Sequence, residues 1–210
     1  FMIEPQWYLP ILPTVLVNGS EGIGTGFSTK IPQYNPVDIV NNIKQLMKNE
    51  PMAKMNPYYR GFTGHITEDE FSSSFTTTGK YERVDDKTIR ITELPIGMWT
   101  YSYQEFLESI VIDPKETKKK QYLKNYINNN TDVSVNIDII FPSNYELNEV
   151  FKNKPEFEKL FKLTTRLNTT NMYLYSTDDT IKKYNQPTEI LEEFYHIRLE
   201  YYQKRKDYLL

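Results

Sequence analysis

No cysteine occurs among the 210 residues, which excludes disulfides, thiol nucleophiles and cysteine-ligated zinc. The two histidines, His65 and His196, lie too far apart in sequence to suggest a metal cluster. Long apolar runs are also missing. The most apolar stretch, from Trp7 to Val17, is interrupted by Pro10 and Pro13 and is too short to cross a bilayer, and no signal-peptide pattern opens the chain. A surplus of positive charge is absent too: the formal net charge of −3 argues against a uniformly basic nucleic-acid binder, while leaving room for a local basic face. What is present is 39% hydrophobic content, enough to bury the core of one large domain or two small ones. The expectation is a folded, soluble chain with no membrane partner and no metal ligands of its own.

Both ends read as cuts through a longer polypeptide. The chain opens on Phe1 without a leading methionine, and from Pro187 onward Ile190, Phe194, Ile197, Tyr201 and Tyr208 recur at steps of four and three, with Lys204 in the series. That is an amphipathic or coiled-coil-like face still running at the last residue. Earlier, "NPVDIVNNIKQLMK" predicts a helix with Asn35 as N-cap, Pro36 at the first helical position and Ile39, Val40, Ile43, Leu46 and Met47 on one face. Pro51, Pro57 and Gly61 then mark a boundary near residue 61. Beyond it strands and helices alternate. A strand is expected through Ile89, Ile91 and Leu94, stopped by Pro95, and another through the period-two series Val133, Val135, Ile137, Ile139 and Phe141. Ser102 with Glu105, and Ser143 with Glu146, have capping-box spacing ahead of two helices. A strand pair is expected over 167–175 and 180–184, turning at 176–179, and "NYINNN" reads as a solvated loop. The fold class is α+β.

The densest feature is "NGSEGIGTGFSTKIP", with glycines at 19, 22, 24 and 26. A glycine cluster reads either as a set of turns or as backbone kept bare for close approach. No Lys-Ser/Thr pair follows the glycines, and the next helix starts only after "FSTKIPQY", so neither a Walker loop nor a dinucleotide fingerprint fits. An unrelated nucleotide-binding enzyme would rest on the glycines alone. Ser28, Thr29 and Lys30 carry ordinary phosphate-contacting groups. Ile31, stiff at χ1 and restricted by Pro32, reads either as a rigid wedge of the kind that DNA-bending proteins insert between bases or as a core isoleucine.

"EPQWYLPILPTVLVNGSEGIGTGFSTKIP" and the "VNNIKQLM" after it resemble the DNA-gate region of the eukaryotic-type type IIA DNA topoisomerases, the topoisomerase II family. The resemblance continues through "ITELPIGMWTYSYQEFLE", "FKLTTRLNTTNMYLY", "IKKYNQPTEILEEFY" and "RLEYYQKRKDYLL", in the family's order and over essentially the whole chain. A shorter echo of the glycine stretch occurs in bacterial gyrase A-type subunits.

The resemblance implies the end of a winged-helix domain over residues 1–60, a mixed α/β tower domain with a β-sheet over 61–186, and the start of a coiled-coil helix over 187–210. It implies part of an ATP-dependent enzyme that passes one duplex through a transient double-strand break in another, acting on double-stranded DNA as a homodimer. The family's catalytic tyrosine precedes the "EPQWY" segment, so no catalytic residue is expected here and the segment alone should be inactive. Mg²⁺ and ATP would serve the whole enzyme without ligands in this stretch. Ile31 matches the isoleucine that intercalates and bends the duplex in the family, a bend costing about 1–10 kcal/mol.

Ser28, Thr29, Lys30, Trp99, Lys118, Lys119 and Lys120 would be its DNA contacts. Trp99 also reads as a half-buried sheet-edge aromatic, and the lysines from Lys115 to Lys124 as a solvated loop. A scaffold that supports the dimer without binding DNA is the alternative. The chain departs from relatives in carrying Phe27 where tryptophan is common, and in Asn- and Lys-rich loops that suggest an AT-rich source such as a protist or a large DNA virus. A nuclear location would follow for the first, host cytoplasm or a virus factory for the second.

Overall fold

The computed structural model describes residues 8–69, 72–112 and 121–210. The chain divides into two compact units, one built from Phe1–Arg60 with Asn168–Leu210 and the other from Gly61–Leu167.

In the first unit, the short helix α1 (Thr14–Asn18) leads through Gly19 into an antiparallel hairpin, β1 (Ser20–Ile23) and β2 (Ser28–Ile31), in which Glu21 lies opposite Lys30 and Ile23 opposite Ser28. Helix α2 (Pro36–Met47) follows as its sequence predicts: the Asn35 side chain accepts from the Val37 N–H and Pro36 takes the first helical position. Its buried Asn42 donates to Ala53 O at 2.9 Å and accepts from Ala53 N at 2.8 Å. Both polar ends of that amide are thereby satisfied, and the irregular segment around Ala53 is pinned to the helix.

The second unit holds two sheets. One is ordered β3-β4-β9, from β3 (His65–Glu68), β4 (Ser74–Thr78) and β9 (Thr164–Asn168); the other is ordered β5-β6-β8-β7, from β5 (Lys80–Arg83), β6 (Thr88–Glu93), β7 (Asn125–Asn128) and β8 (Ile137–Ile140). Helices α3 (Thr100–Ile110), α4 (Asn144–Phe151) and α5 (Lys154–Leu160) complete it. Ile89 and Ile91 of β6 and Ile137 and Ile139 of β8 point to the same face and are fully buried with Tyr103, Leu107, Phe157 and Phe161. The Tyr103 hydroxyl donates to Phe161 O at 2.9 Å, and burial pushes its pKa up. On the opposite face Arg90 makes a two-pronged ion pair with Asp138, at 2.8 and 2.9 Å.

Four local expectations change. Helix α3 starts at Thr100 with Trp99 as a cap that makes no side-chain bond, so Ser102 lies inside the first turn and Glu105 instead accepts from the Tyr101 hydroxyl. At α4 the Ser143 cap forms, with Glu146 N donating to Ser143 Oγ at 3.3 Å, but the reciprocal arm of the box differs: the Glu146 carboxylate accepts from the Ser143 hydroxyl at 3.0 Å instead of from its backbone N–H. "NYIN" is strand β7 rather than loop, because Tyr126 packs on the core and its hydroxyl reaches Glu108; packing overrides the poor strand propensity of asparagine. The period-two run is strand only from Ile137, since Asn130 Oδ1 accepts from Asn136 N and closes the preceding residues into a turn that leaves Val133 exposed.

The chain then returns to the first unit. Strands β10 (Met172–Tyr175) and β11 (Ile181–Tyr184) form the expected hairpin, and α6 (Pro187–Leu209) follows. Both strands pack with residues of 1–60, although the sequence grouped them with residues 61–186. Among the described residues no helix is long and apolar enough to cross a membrane.

Candidate nucleic-acid interface

The glycine stretch is the β1–β2 hairpin, which periodicity could not disclose because its strands are only four residues each. Side chains alternate between the faces of a strand. In β2 this sends Ser28 and Lys30 outward and Thr29 and Ile31 toward the body of the unit. Ile31 is only 3% exposed and packs with Leu16, Tyr34, Ile39, Met55 and Met172. This corrects the reading of Ile31 as an exposed wedge: the side chain closes the core beneath the hairpin. The isoleucine that does protrude is Ile23, 93% exposed at the end of β1 where the hairpin turns.

The four glycines have different reasons. Gly19 has φ +69°, and a Cβ there would meet Ile31 O at 2.7 Å, so the base of the hairpin requires glycine. Gly22 and Gly24, the neighbours of Ile23, are unlike it: neither has positive φ, and a Cβ would meet nothing closer than 3.9 and 3.6 Å. The fold has room for side chains at both positions. Gly19→Ala should therefore destabilise the unit by about 1–3 kcal/mol, whereas Gly24→Ala should leave thermal unfolding within about 0.5 kcal/mol of the parent and weaken only what approaches the tip. Unfolding and duplex titration of the two variants measure both effects.

Thr29 is spoken for. Its Oγ1 donates to Tyr173 O at 2.8 Å and accepts from Tyr173 N at 3.1 Å, while Lys30 N donates to Asn171 O at 2.8 Å. The one hydroxyl proton of Thr29 is used to dock the hairpin onto β10, so it has none to give a phosphate. Ser28 keeps its proton, since its Oγ accepts from Asn171 Nδ2 at 3.0 Å. Lys30 Nζ sits 3.3 Å from Glu21 across the hairpin, both side chains exposed, a pair weak enough for a phosphate to displace. Of the residues nominated on this loop, Ser28 and Lys30 thus share the outward face with Ile23, and Thr29 and Ile31 hold that face in place.

Behind the face, β11 is tied to α6. Lys182 Nζ and the Tyr184 hydroxyl both donate to Glu193, at 2.7 and 2.9 Å. Burial opposes ionisation of Glu193, but the two donors outweigh it and lower its pKa.

In the second unit Trp99 is 78% exposed, which excludes the half-buried sheet-edge alternative. Its loop is rigidly held. Thr165 Oγ1 donates to Ile96 O at 2.6 Å, Ile96 N donates to Thr77 Oγ1 at 3.2 Å, and the two hydroxyls are 2.7 Å apart. Lys118, Lys119 and Lys120 lie outside the described residues; Lys124, at the end of their cluster, is exposed. No group of three His, Asp or Glu among the described residues could hold a metal ion.

Residues 1–210 match the family model for the A-type subunits of DNA gyrase and topoisomerase IV. The chain belongs to that family. Similar sequences include eukaryotic ones: DNA topoisomerase 2 of Arabidopsis thaliana is 49% identical over 98% of this chain, and that of Saccharomyces cerevisiae 43% identical over 99%. The chain spans only 14% of the length of each of those relatives. Among solved structures, the crystal structure of the Plasmodium falciparum topoisomerase II DNA-binding, cleavage and re-ligation domain superposes with a TM-score of 0.90 at 41% identity, covering 99% of this chain and 27% of that one. The hairpin, its β10 dock and the Trp99 loop are accordingly features of a topoisomerase II-like segment.

Proposed function

We propose that this chain is a DNA-binding and DNA-bending segment of an ATP-dependent type II DNA topoisomerase that passes one duplex through a break in another. The observation that carries the reading is the tip of the β1–β2 hairpin. A β-branched side chain stands 93% exposed between two glycines whose bareness the fold does not need. A stiff apolar wedge with bare flanks fits between unstacked base pairs, where flanking backbone must come close to the duplex. The wedge role that the resemblance attached to Ile31 falls to Ile23, with Ser28 and Lys30 as phosphate donors beside it and Trp99 as a contact from the second unit.

The second unit is assigned as the tower and α6 as the root of a coiled coil. The homodimer is part of the same proposal, carried by the family likeness, and the exposed Tyr201 and Tyr202 on α6 are compatible with it. Mg²⁺ and ATP belong to the rest of the enzyme, as does the nucleophilic tyrosine. Within this chain Tyr34, Tyr103 and Tyr184 are unsuited to nucleophilic attack, because burial raises their phenol pKa values. A nuclear location follows if the source is eukaryotic.

The test uses the absence of cysteine in this segment. In the full-length enzyme, Ile23→Cys should form a disulfide with a duplex carrying a thiol-tethered base at the bend, and Ile31→Cys should not. Cross-linking through position 31 alone would overturn the assignment of the tip.

A further inference from the structure

The outward face of the hairpin does not end at β2. Asn171, whose side chain reaches Ser28, is followed two residues later by Tyr173 on the same face, and the Tyr173 ring stands edge-on to half-exposed Phe27 with centroids 6.3 Å apart. Opposite Tyr173 on β11 is Lys183, its Nζ 5.9 Å from the Tyr173 ring; opposite Ile181 is the exposed Tyr175. The other face of the same two strands is committed inward. Met172 and Tyr184 are buried, and Lys182 is held by Glu193. Adjacent lysines on one strand therefore have opposite fates. Lys182 is neutralised against α6, whereas Lys183 is exposed and has no ion-pair partner among the described residues.

We propose that the duplex-binding surface continues across β10 and β11, with Lys183 as a phosphate contact and Tyr173 as the aromatic floor that positions it. This extends the reading of the hairpin tip and rests on it. A duplex splayed at Ile23 presents its sugar-phosphate backbone to the flanks of the wedge. The flank on this side runs over Ser28, Asn171, Tyr173 and Lys183, all donors or aromatic surface. Its limit is also marked. Asp178 and Asp179 form the turn between β10 and β11, and hydrogen bonds from Thr180 and Ser176 hold the Asp178 carboxyl below its usual pKa, so it stays ionised and repels phosphate. The track therefore covers the Tyr173–Lys183 rung and stops short of the turn.

The experiment is the salt dependence of duplex binding by the full-length enzyme, compared for the parent, Lys183→Ala, Lys183→Arg and Lys182→Ala, with the bend of an end-labelled duplex measured alongside for Ile23→Ala. One lost phosphate contact lowers the slope of log K against log salt by about 0.9, so between 50 and 200 mM salt Lys183→Ala should lose roughly 3.5-fold less affinity than the parent. Lys183→Arg should keep the parent slope, and Lys182→Ala should keep it too. A parent slope in Lys183→Ala, or an equal fall in Lys182→Ala, overturns the proposal. If Ile23→Ala abolishes the bend while Lys183→Ala leaves the slope unchanged, only this extension fails. If Ile23→Ala leaves the bend intact, the reading of the tip fails, and the extension with it.

Discussion

Replacing Ile23 with alanine in the full-length enzyme should straighten the bound duplex and cut DNA cleavage and strand passage by roughly 10- to 100-fold, with the protein's thermal unfolding unchanged. The magnitude follows from what the side chain does when bound. Burying an isoleucine that is otherwise in water contributes about 1.5–3 kcal/mol, and each 1.4 kcal/mol is about a factor of ten. In the free protein the side chain is 93% exposed and supports nothing, so its removal has little to act on in the folded state. Nonspecific binding through phosphates should largely survive, because it depends on cations rather than on the wedge. Energy transfer between dyes at the duplex ends reads the bend, and a relaxation assay reads strand passage. An unchanged bend with normal cleavage would remove Ile23 from the mechanism.

Ile31→Ala should do the reverse. The side chain is sealed among Leu16, Tyr34, Ile39 and Met55, and truncation leaves a cavity that this neighbourhood closes only in part. The expected loss is about 2–5 kcal/mol, seen as a melting transition several degrees lower and as faster hydrogen exchange in β2 and α2. Any loss of bending should then track the loss of folded protein and be restored by lowering the temperature. A stable Ile31→Ala enzyme that fails to bend DNA would return the wedge to position 31. The two isoleucines, eight positions apart on one hairpin, thus separate binding from stability.

The same pair shows what the sequence could and could not disclose. Helix α2 was legible to its cap, because Asn35 and Pro36 act locally and the apolar face repeats over three turns. Strand β6 was legible from Ile89 and Ile91 and the proline that ends it. The hairpin was not. Which side of a four-residue strand faces the core depends on a register fixed by Thr29 and Asn171, and Asn171 is more than a hundred residues away in sequence. Ile31 beside Pro32 has the local attributes of a wedge, yet a one-residue change of face is enough to bury it. The signal for Ile23 was present in its two glycine neighbours, but that signal acquires meaning only once their ordinary φ values and open surroundings exclude a left-handed backbone or a close packing contact as the explanation. Asparagine-rich β7 was hidden for a related reason, since its strand is set by its neighbour β8 and by the burial of Tyr126.

The reciprocal bonds between Thr29 and Tyr173 bear on stiffness. A sharply bent duplex is a loaded spring, and a wedge on a freely hinged hairpin would be pushed aside before the DNA yielded. Here the hairpin is anchored at its base by Gly19 and along its edge by four hydrogen bonds to β10 and Asn171; β10 is paired to β11, and β11 is bolted to α6 through Glu193. If the tip is the wedge proposed above, recoil of the duplex would be borne in shear by a row of hydrogen bonds and handed to a 23-residue helix, rather than taken up by bending a loop.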